Sequence, residues 1–318
     1  MESYPSNKDF KIIQVKKMSN ITLIGPVTND TIIKNNSTYK SVGGAVYYQS
    51  SVLEHLQINT NAIITLAKKD EELLNTFSKN IKLFPIFTDE TIKFQNIYPD
   101  NNPNHRIQKA HIPHNPIEVK DIVHLDLRDC DAILLGPLCP HDIPVETIEY
   151  LSKLKIPIYL GAQGYLRHLK HDEIVLRPWT QFQKFLKFIK ILFMDENESA
   201  TILGKQLSID DVAKTLASFG PEEVIITQGS KGSTVYSKKL GKTYKIPAFS
   251  PKKIEDPTGL GDTYMAAYAA RKLEIEDPKM CGIFASAASV IKLENKGAFK
   301  GNIKLIHERC KNYSKLME

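Results

Sequence analysis

Residues 131–162 read "DAILLGPLCPHDIPVETIEYLSKLKIPIYLGA", and their pattern decides the fold. "DAILLGPL" (131–138) is a short apolar run interrupted by Gly136 and Pro137, the mark of a buried strand entering a loop. "PVETIEYLSKL" (144–154) has the character of a helix, and "IPIYLGA" (156–162) is a second apolar strand. Strand, helix, strand at this length predicts a crossover between parallel neighbours. The rhythm continues downstream. "TQFQKFLKF" (180–188) reads as helix, "KILFM" (190–194) as strand, and "SIDDVAKTLASFG" (208–220) as a helix stopped by Gly220. "EVIITQGSKGSTVYS" (223–237) reads as strand, turn and strand. The expectation is an α/β fold with a mostly parallel central sheet covered on both faces. In such sheets ligands gather at the carboxyl ends of the strands, where loops lead into helix N-termini.

The N-terminal third departs from this rhythm. "ITLIGPV" (21–27) predicts a buried strand and "DTIIKNNSTYKSVGG" (30–44) a hairpin around Asn35–Asn36. "AVYYQSSVLEHL" (45–56) has helical spacing, and "NAIITLA" (61–67) is another strand. "TIKFQNIYPDNNPNHRIQKAH" (91–111) resembles a second hairpin with an Asn/Pro centre. The two hairpins, about 30–43 and 91–112, are expected to pair into a small sheet projecting from one domain that spans residues 1–318.

Composition narrows the function. The chain has 318 residues, 42% hydrophobic and 25% charged, with a formal net charge of +6. The basic residues are scattered among acids, so a nucleic-acid partner is not expected; a mild positive bias suits an anionic substrate such as a nucleotide. Cys130, Cys139, Cys281 and Cys310 form no C-x-x-C pair, which fits a reducing compartment. The polar start "MESYPSNKDF" lacks a signal-peptide core, and no apolar run approaches the roughly 20 residues of a membrane span. A cytoplasmic protein with no membrane partner is expected. The nine histidines show no H-E-x-x-H spacing, and no G-x-S-x-G occurs, so neither a zinc hydrolase nor a serine hydrolase of that type is indicated. Trp179 reads as core packing, and "KLIHERCKNYSKL" (304–316) as a basic surface helix.

The chemistry concentrates in "DPTGLGD" (256–262), which precedes the helical "TYMAAYAA" (263–270). Gly259 and Gly261 permit a tight turn and close approach to a ligand, and a helix beginning there offers unpaired N–H groups to an anion. Asp262 would repel a bound phosphate unless it takes a proton from a hydroxyl attacking that phosphate. Its plainer role is to cap the helix. The stretch resembles the D-x-T-G-x-G-D signature of the ribokinase-like, or PfkB-type, carbohydrate kinases. It is not the G-x-x-x-x-G-K-[ST] phosphate loop, which the chain lacks.

That resemblance implies a ribokinase-like three-layer sandwich with a small β-sheet lid, ATP as donor, Mg²⁺, and a small-molecule sugar, polyol or nucleoside acceptor. Asp262 would be the base and Gly259, Leu260 and Gly261 the phosphoryl cradle, with Thr258 beside the donor. "VGGAVYYQSS" (42–51) resembles the family's Gly-Gly segment, placing Gly43 and Gly44 against the acceptor. "GPVTND" (25–30) puts Asp30 at the position that binds acceptor hydroxyls. "ITQGSKGS" (226–233) resembles the donor-side strand and turn, with Thr227, Gly229 and Gly232. Taken singly, each of these segments is also an ordinary turn.

Two features depart from the family. Its N-x-x-E motif is replaced in "LFMDENESATILG" (192–204) by Asp195 and Glu198, read either as Mg²⁺-supporting oxygens or as an acidic helix start. Ala45 and Tyr48 stand where ribokinase-type Lys and Asn follow the Gly pair, which argues against ribose. "LGAQGYLRHL" (160–169) is similar to the D-x-Q-G-x-x-R segment of a branch that includes myo-inositol kinases, with Gly161 in place of the Asp. There Gln163 and Arg167 would meet substrate, Arg167 being equally open to a structural role. "NPNHRIQKAHIPHNPI" (102–117) resembles the lid of that branch, and lids in the family often pair subunits, so a homodimer is an expectation. A nucleoside kinase and a non-catalytic nucleotide-binding regulator on the same fold remain the alternatives.

Overall fold

The computed structural model describes residues 19–34, 37–98 and 107–311. The Asn35–Asn36 turn, the Asn/Pro centre of the second hairpin, the polar start and residues 312–316 of the C-terminal stretch lie outside the described residues. The chain opens with β1 (Asn20–Pro26), β2 (Thr28–Lys34), β3 (Ser37–Gly43), α1 (Ala45–His55), β4 (Asn59–Ala67), β5 (Ile81–Thr88), β6 (Lys93–Tyr98) and β7 (Ile107–His111). It continues with α2 (Val119–Ile122), β8 (Ala132–Leu135), α3 (Val145–Ser152), β9 (Ile158–Gly161), α4 (Gln163–Leu166), β10 (Arg167–Lys170) and β11 (Glu173–Leu176). Then come α5 (Phe182–Leu186), β12 (Ile191–Asp195), α6 (Glu196–Ile202), α7 (Ile209–Ser218), β13 (Glu223–Thr227), β14 (Ser233–Ser237) and β15 (Lys242–Ile246). Helices α8 (Leu260–Lys272), α9 (Pro278–Leu293) and α10 (Ile303–Lys311) complete it.

Nine strands form the larger sheet in the order β15-β14-β13-β12-β9-β8-β1-β4-β5. Neighbours from β13 to β5 run parallel, and only β14 and β15 are antiparallel. Side chains alternate between two cores. Ile21, Leu23, Leu134 and Phe193 pack with α1, α8 and α9 on one face. Ile24, Ile133, Leu135, Leu192 and Met194 pack with α3, α5 and α7 on the other. Strands buried on both faces cannot alternate with polar residues, which is why they appear in the sequence as apolar runs. The result is the expected three-layer α/β sandwich. The order reverses at β1: the chain goes to β4 and β5 on one side and to β8 onward on the other. The crevice at the carboxyl ends of β1 and β8 is therefore the natural ligand site.

The smaller sheet has six strands in the order β10-β11-β7-β6-β2-β3. Both expected hairpins, β2–β3 and β6–β7, are present, joined by parallel pairing of β2 with β6. Its other two strands, β10 and β11, lie where no strand is expected from the sequence. They join at His171, whose φ is 59°, a left-handed turn residue. Two helical expectations need trimming or extending: α5 covers only Phe182–Leu186, and α10 buries Ile306 and Cys310 rather than lying wholly in solvent. Trp179 is buried and stacks on Tyr165 with ring centroids 4.3 Å apart, as core packing requires.

Candidate functional site

Gly259 is the residue before the first turn of α8, with φ 75° and ψ 16°. That left-handed conformation costs a residue with a Cβ roughly 1–2 kcal/mol. A Cβ there would also run into the Tyr48 ring of α1, with Cδ2 only 2.7 Å away. Thr263 N–H donates to the Gly259 carbonyl at 2.9 Å, so Leu260, Gly261 and Asp262 occupy the first turn, whose N–H groups have no intrahelical acceptor. No side chain caps this helix. Asp262, in the third helical position, is thus not the capping residue that the plainer expectation made it. Its carboxyl is half-buried, and burial pushes it up to about 6 against the opposing charges of Arg167 and Lys292.

The segment entering this turn is held by Asp256. Its Oδ1 accepts from Thr258 N–H at 2.9 Å and its Oδ2 from Gly297 N–H at 3.0 Å. Burial would raise this carboxyl, but the Lys292 charge and these donors outweigh it and hold it below the usual carboxylate range. Lys292 was not singled out in the sequence, yet it stands in the otherwise apolar "IFASAASVIKL", where a lone lysine is a readable signal.

On the opposite side, Asp30 lies buried on β2. Gly43 ends β3 beside it: a Cβ at Gly43 would overlap the Asp30 carboxylate and sit 2.5 Å from Thr28 Oγ1. Gly44 precedes α1 with φ 99°. The Tyr48 hydroxyl is pushed up from its ordinary value by burial, then by Asp256, Asp30 and Asp262, so one ring feels both the Asp30 and the Asp262 sides of the crevice. Gln163 opens α4 after β9, and Arg167 opens β10, stacked over the Phe94 ring at 5.5 Å.

Asp195 and Glu198 form a reciprocal capping box at the start of α6. Glu198 N–H donates to Asp195 Oδ1 and Asp195 N–H to Glu198 Oε2, each at 2.8 Å. Burial and the Asp195 charge push Glu198 up to about 7; the Asp195 N–H, Arg167 and the Gln163 side chain oppose this. The acidic-helix-start expectation therefore describes the local structure. The donor set, all oxygen and partly used within the box, fits a hard cation approached through water rather than gripped directly. Thr227 ends β13 opposite Asp195 in register. Gly229 and Gly232 flank the short 3₁₀ turn Gly229–Lys231, where Lys231 pairs with Glu196 at 3.0 Å and ties this turn to α6.

Arg167 is the side chain whose charge reaches both Glu198 and Asp262, residues 64 apart in the numbering of the helices that carry them. Fixed cations beside a carboxyl that titrates near neutrality, next to a helix N-terminus, can take up a proton while an anion is held close. A separate cluster also escapes the sequence. Cys139, His141 and Asp142 bring their ligand atoms within 4.8 Å of one another. The Cys139 thiol donates to Asp142 at 2.6 Å, and Asp142 also accepts from Leu138 and Cys139 N–H, so the group braces its own loop. Among the described residues no helix is long and apolar enough to cross a membrane.

Comparison with known proteins agrees with this geometry. A nucleoside kinase from Methanothermobacter thermautotrophicus is 36% identical over 118 residues, 37% of this chain and 36% of the relative. The match thus spans little more than a third of that relative's length. A pyrophosphate-dependent kinase of the ribokinase family, solved with sulfate, superposes with a TM-score of 0.79 at 22% identity, covering 92% of this chain and 99% of that one. A pyrophosphate-dependent kinase of that family, complexed with a pyrophosphate analog and myo-inositol, gives 0.76 at 21% identity, with coverage of 92% and 99%. The model of the pfkB family carbohydrate kinases matches residues 16–304, nearly the whole chain. With that match and the three-layer fold together, the chain belongs to the pfkB family of carbohydrate kinases.

Proposed function

We propose that the chain transfers the terminal phosphoryl group of ATP to a hydroxyl of a small sugar or polyol, inositol-like acceptors included. The observation that carries this reading is Asp262, a carboxyl pushed up to about 6 in the first turn of α8, directly behind a left-handed glycine. Such a group accepts a proton near neutral pH, while the N–H groups around Gly259, Leu260 and Gly261 stabilise charge on the transferring phosphoryl group. The acceptor oxygen bonds to the γ-phosphorus as the bond to the leaving oxygen of ADP breaks, and the acceptor proton passes to Asp262. Asp30, Gly43, Gly44, Gln163 and Arg167 would hold the acceptor under the smaller sheet, acting as a lid within one kinase domain. Thr227, Gly229, Gly232 and Thr258 would line the donor. Asp195 and Glu198 would hold Mg²⁺ through water, and that ion supplies neutralising charge to the donor phosphates.

A second donor, inorganic pyrophosphate, is supported by the two structural neighbours, and a nucleoside acceptor by the nucleoside kinase relative. Phosphorus NMR of products separates these readings, with ATP or pyrophosphate tested against pentoses, hexoses, inositols and nucleosides. Asp262→Asn, run alongside, should lower turnover by about 10² or more with donor binding retained. Unchanged turnover in that variant would remove Asp262 as the base.

A further inference from the structure

We infer that Lys292 is a positioning residue for the transfer: its buried ammonium locks the turn before α8 through Asp256 and fixes a positive charge behind Asp262. The inference rests on Asp262 being the base. Lys292 is the penultimate residue of α9, the helix packed against α8, and its side chain is 0% exposed. A lysine wholly removed from water is costly unless its charge is paired and hydrogen-bonded. Here Nζ donates to the Asp256 carbonyl at 2.8 Å, lies 3.2 Å from Asp256 Oδ2 and sits 5.7 Å from the centre of the Tyr48 ring.

With Thr258 and Gly297 N–H on the same carboxylate, residues 256, 258, 292 and 297 form one knot immediately before Gly259. The same Tyr48 ring that Lys292 approaches lies against Gly259, so the knot also fixes the wall on which the turn rests. The charge reaches further than the knot. Burial lowers the proton affinity of Lys292, and Asp256 and then Asp262 raise it, so ammonium and base act on each other. The other groups acting around Asp262 are Arg167 from β10 and the triad of Tyr48, Asp30 and Asp256. Arg167 belongs to the smaller sheet, whereas Lys292 is supplied by the helix on which α8 itself packs. A merely structural ion pair would hold Asp256 and leave the protonation of Asp262 untouched.

The test is Lys292→Met in the full chain, similar in length and uncharged. Turnover should fall about tenfold or more, with the KM for acceptor within about twofold, because the residue does not touch the acceptor. Loss of the cation raises the proton affinity of Asp262, so the acid limb of kcat/KM should move up by about one pH unit. The ¹³C carboxyl resonance of Asp262, titrated in the wild type and the variant, should move in step. That resonance reads the inference even if the wild type turns over no acceptor, an outcome that would overturn the proposed function alone. Lys292→Gln keeps an N–H donor for Asp256 without the charge and covers a failure of the Met variant to fold; its limb should move the same way. Lys292→Arg should keep the wild-type limb. An unchanged Asp262 titration in a folded Met or Gln variant overturns the inference, whatever happens to melting temperature.

Discussion

The pH dependence of kcat/KM should betray the environment of Asp262. With its carboxyl at about 6, roughly nine-tenths of the protein carries the ionised base at pH 7 and roughly one-tenth at pH 5. An ordinary aspartate, near 3.9, would remain more than about nine-tenths ionised at pH 5. Between these pH values kcat/KM for the acceptor should therefore fall about ninefold, where an unperturbed base would lose less than about a tenth. The direction follows from which form works: the ionised carboxylate accepts the proton, so activity is lost as pH falls through its raised value. Glu198, pushed up to about 7, titrates in the same window, and if its ionised form is also required the limb becomes steeper than one proton. Glu198→Gln removes that second proton and should restore a single-proton limb. The donor phosphates themselves titrate near ~6, so the decisive control is Asp262→Asn at saturating donor, whose residual rate should lack the aspartate limb. A wild-type profile flat from pH 7 to 5, or a limb that survives in Asp262→Asn, refutes the assignment.

Other consequences are checked one residue at a time. Glu198→Ala should raise the Mg²⁺ concentration needed for half-maximal rate, and losing its half of the capping box should cost about 1 kcal/mol in urea unfolding; an unchanged Mg²⁺ requirement returns the pair to a purely structural role. Gly43→Ala pushes a methyl group into the Asp30 carboxylate, so the KM for acceptor should rise about tenfold while the KM for donor stays put; equal changes in both would detach Asp30 from the acceptor. Glu223→Ala leaves the buried Lys272 ammonium and Tyr268 hydroxyl without their shared partner, each now bonded at 2.7 Å. The loss should be about 3–5 kcal/mol of stability with native turnover unchanged, and a loss below about 1 kcal/mol would show that water replaces the carboxylate.

The large sheet is legible because parallel strands buried on both faces, such as "AILL" and "AIITLA", must be written in apolar residues. The smaller sheet is legible only where β-branched residues flank a turn, as in β2 and β3. Strands β10 and β11 escape notice because "RHLK" and "EIVL" are short and partly exposed, and their turn falls on His171 rather than on a glycine. Strand β5 is masked by Pro85, which an edge strand tolerates. The turn at 256–262 could be found because glycine, helix entry and carboxylate are contiguous. The electrostatic half of the site could not, because Arg167, Glu198, Asp262 and Lys292 meet through the fold. The spacing D-x-x-E at 195–198 satisfies a capping box and a metal shell alike, and sequence alone has no means of preferring either.

Arg167 belongs to two structures at once. Its backbone pairs with Leu176 inside the smaller sheet, while its charge acts on Asp262 of α8 and Glu198 of α6. Any displacement of the smaller sheet therefore carries a cation toward or away from both carboxyls. The six-stranded sheet is in this sense a gauge as well as a cover: its position sets how readily the two acids give up their protons, so shape and acidity cannot vary independently in this protein.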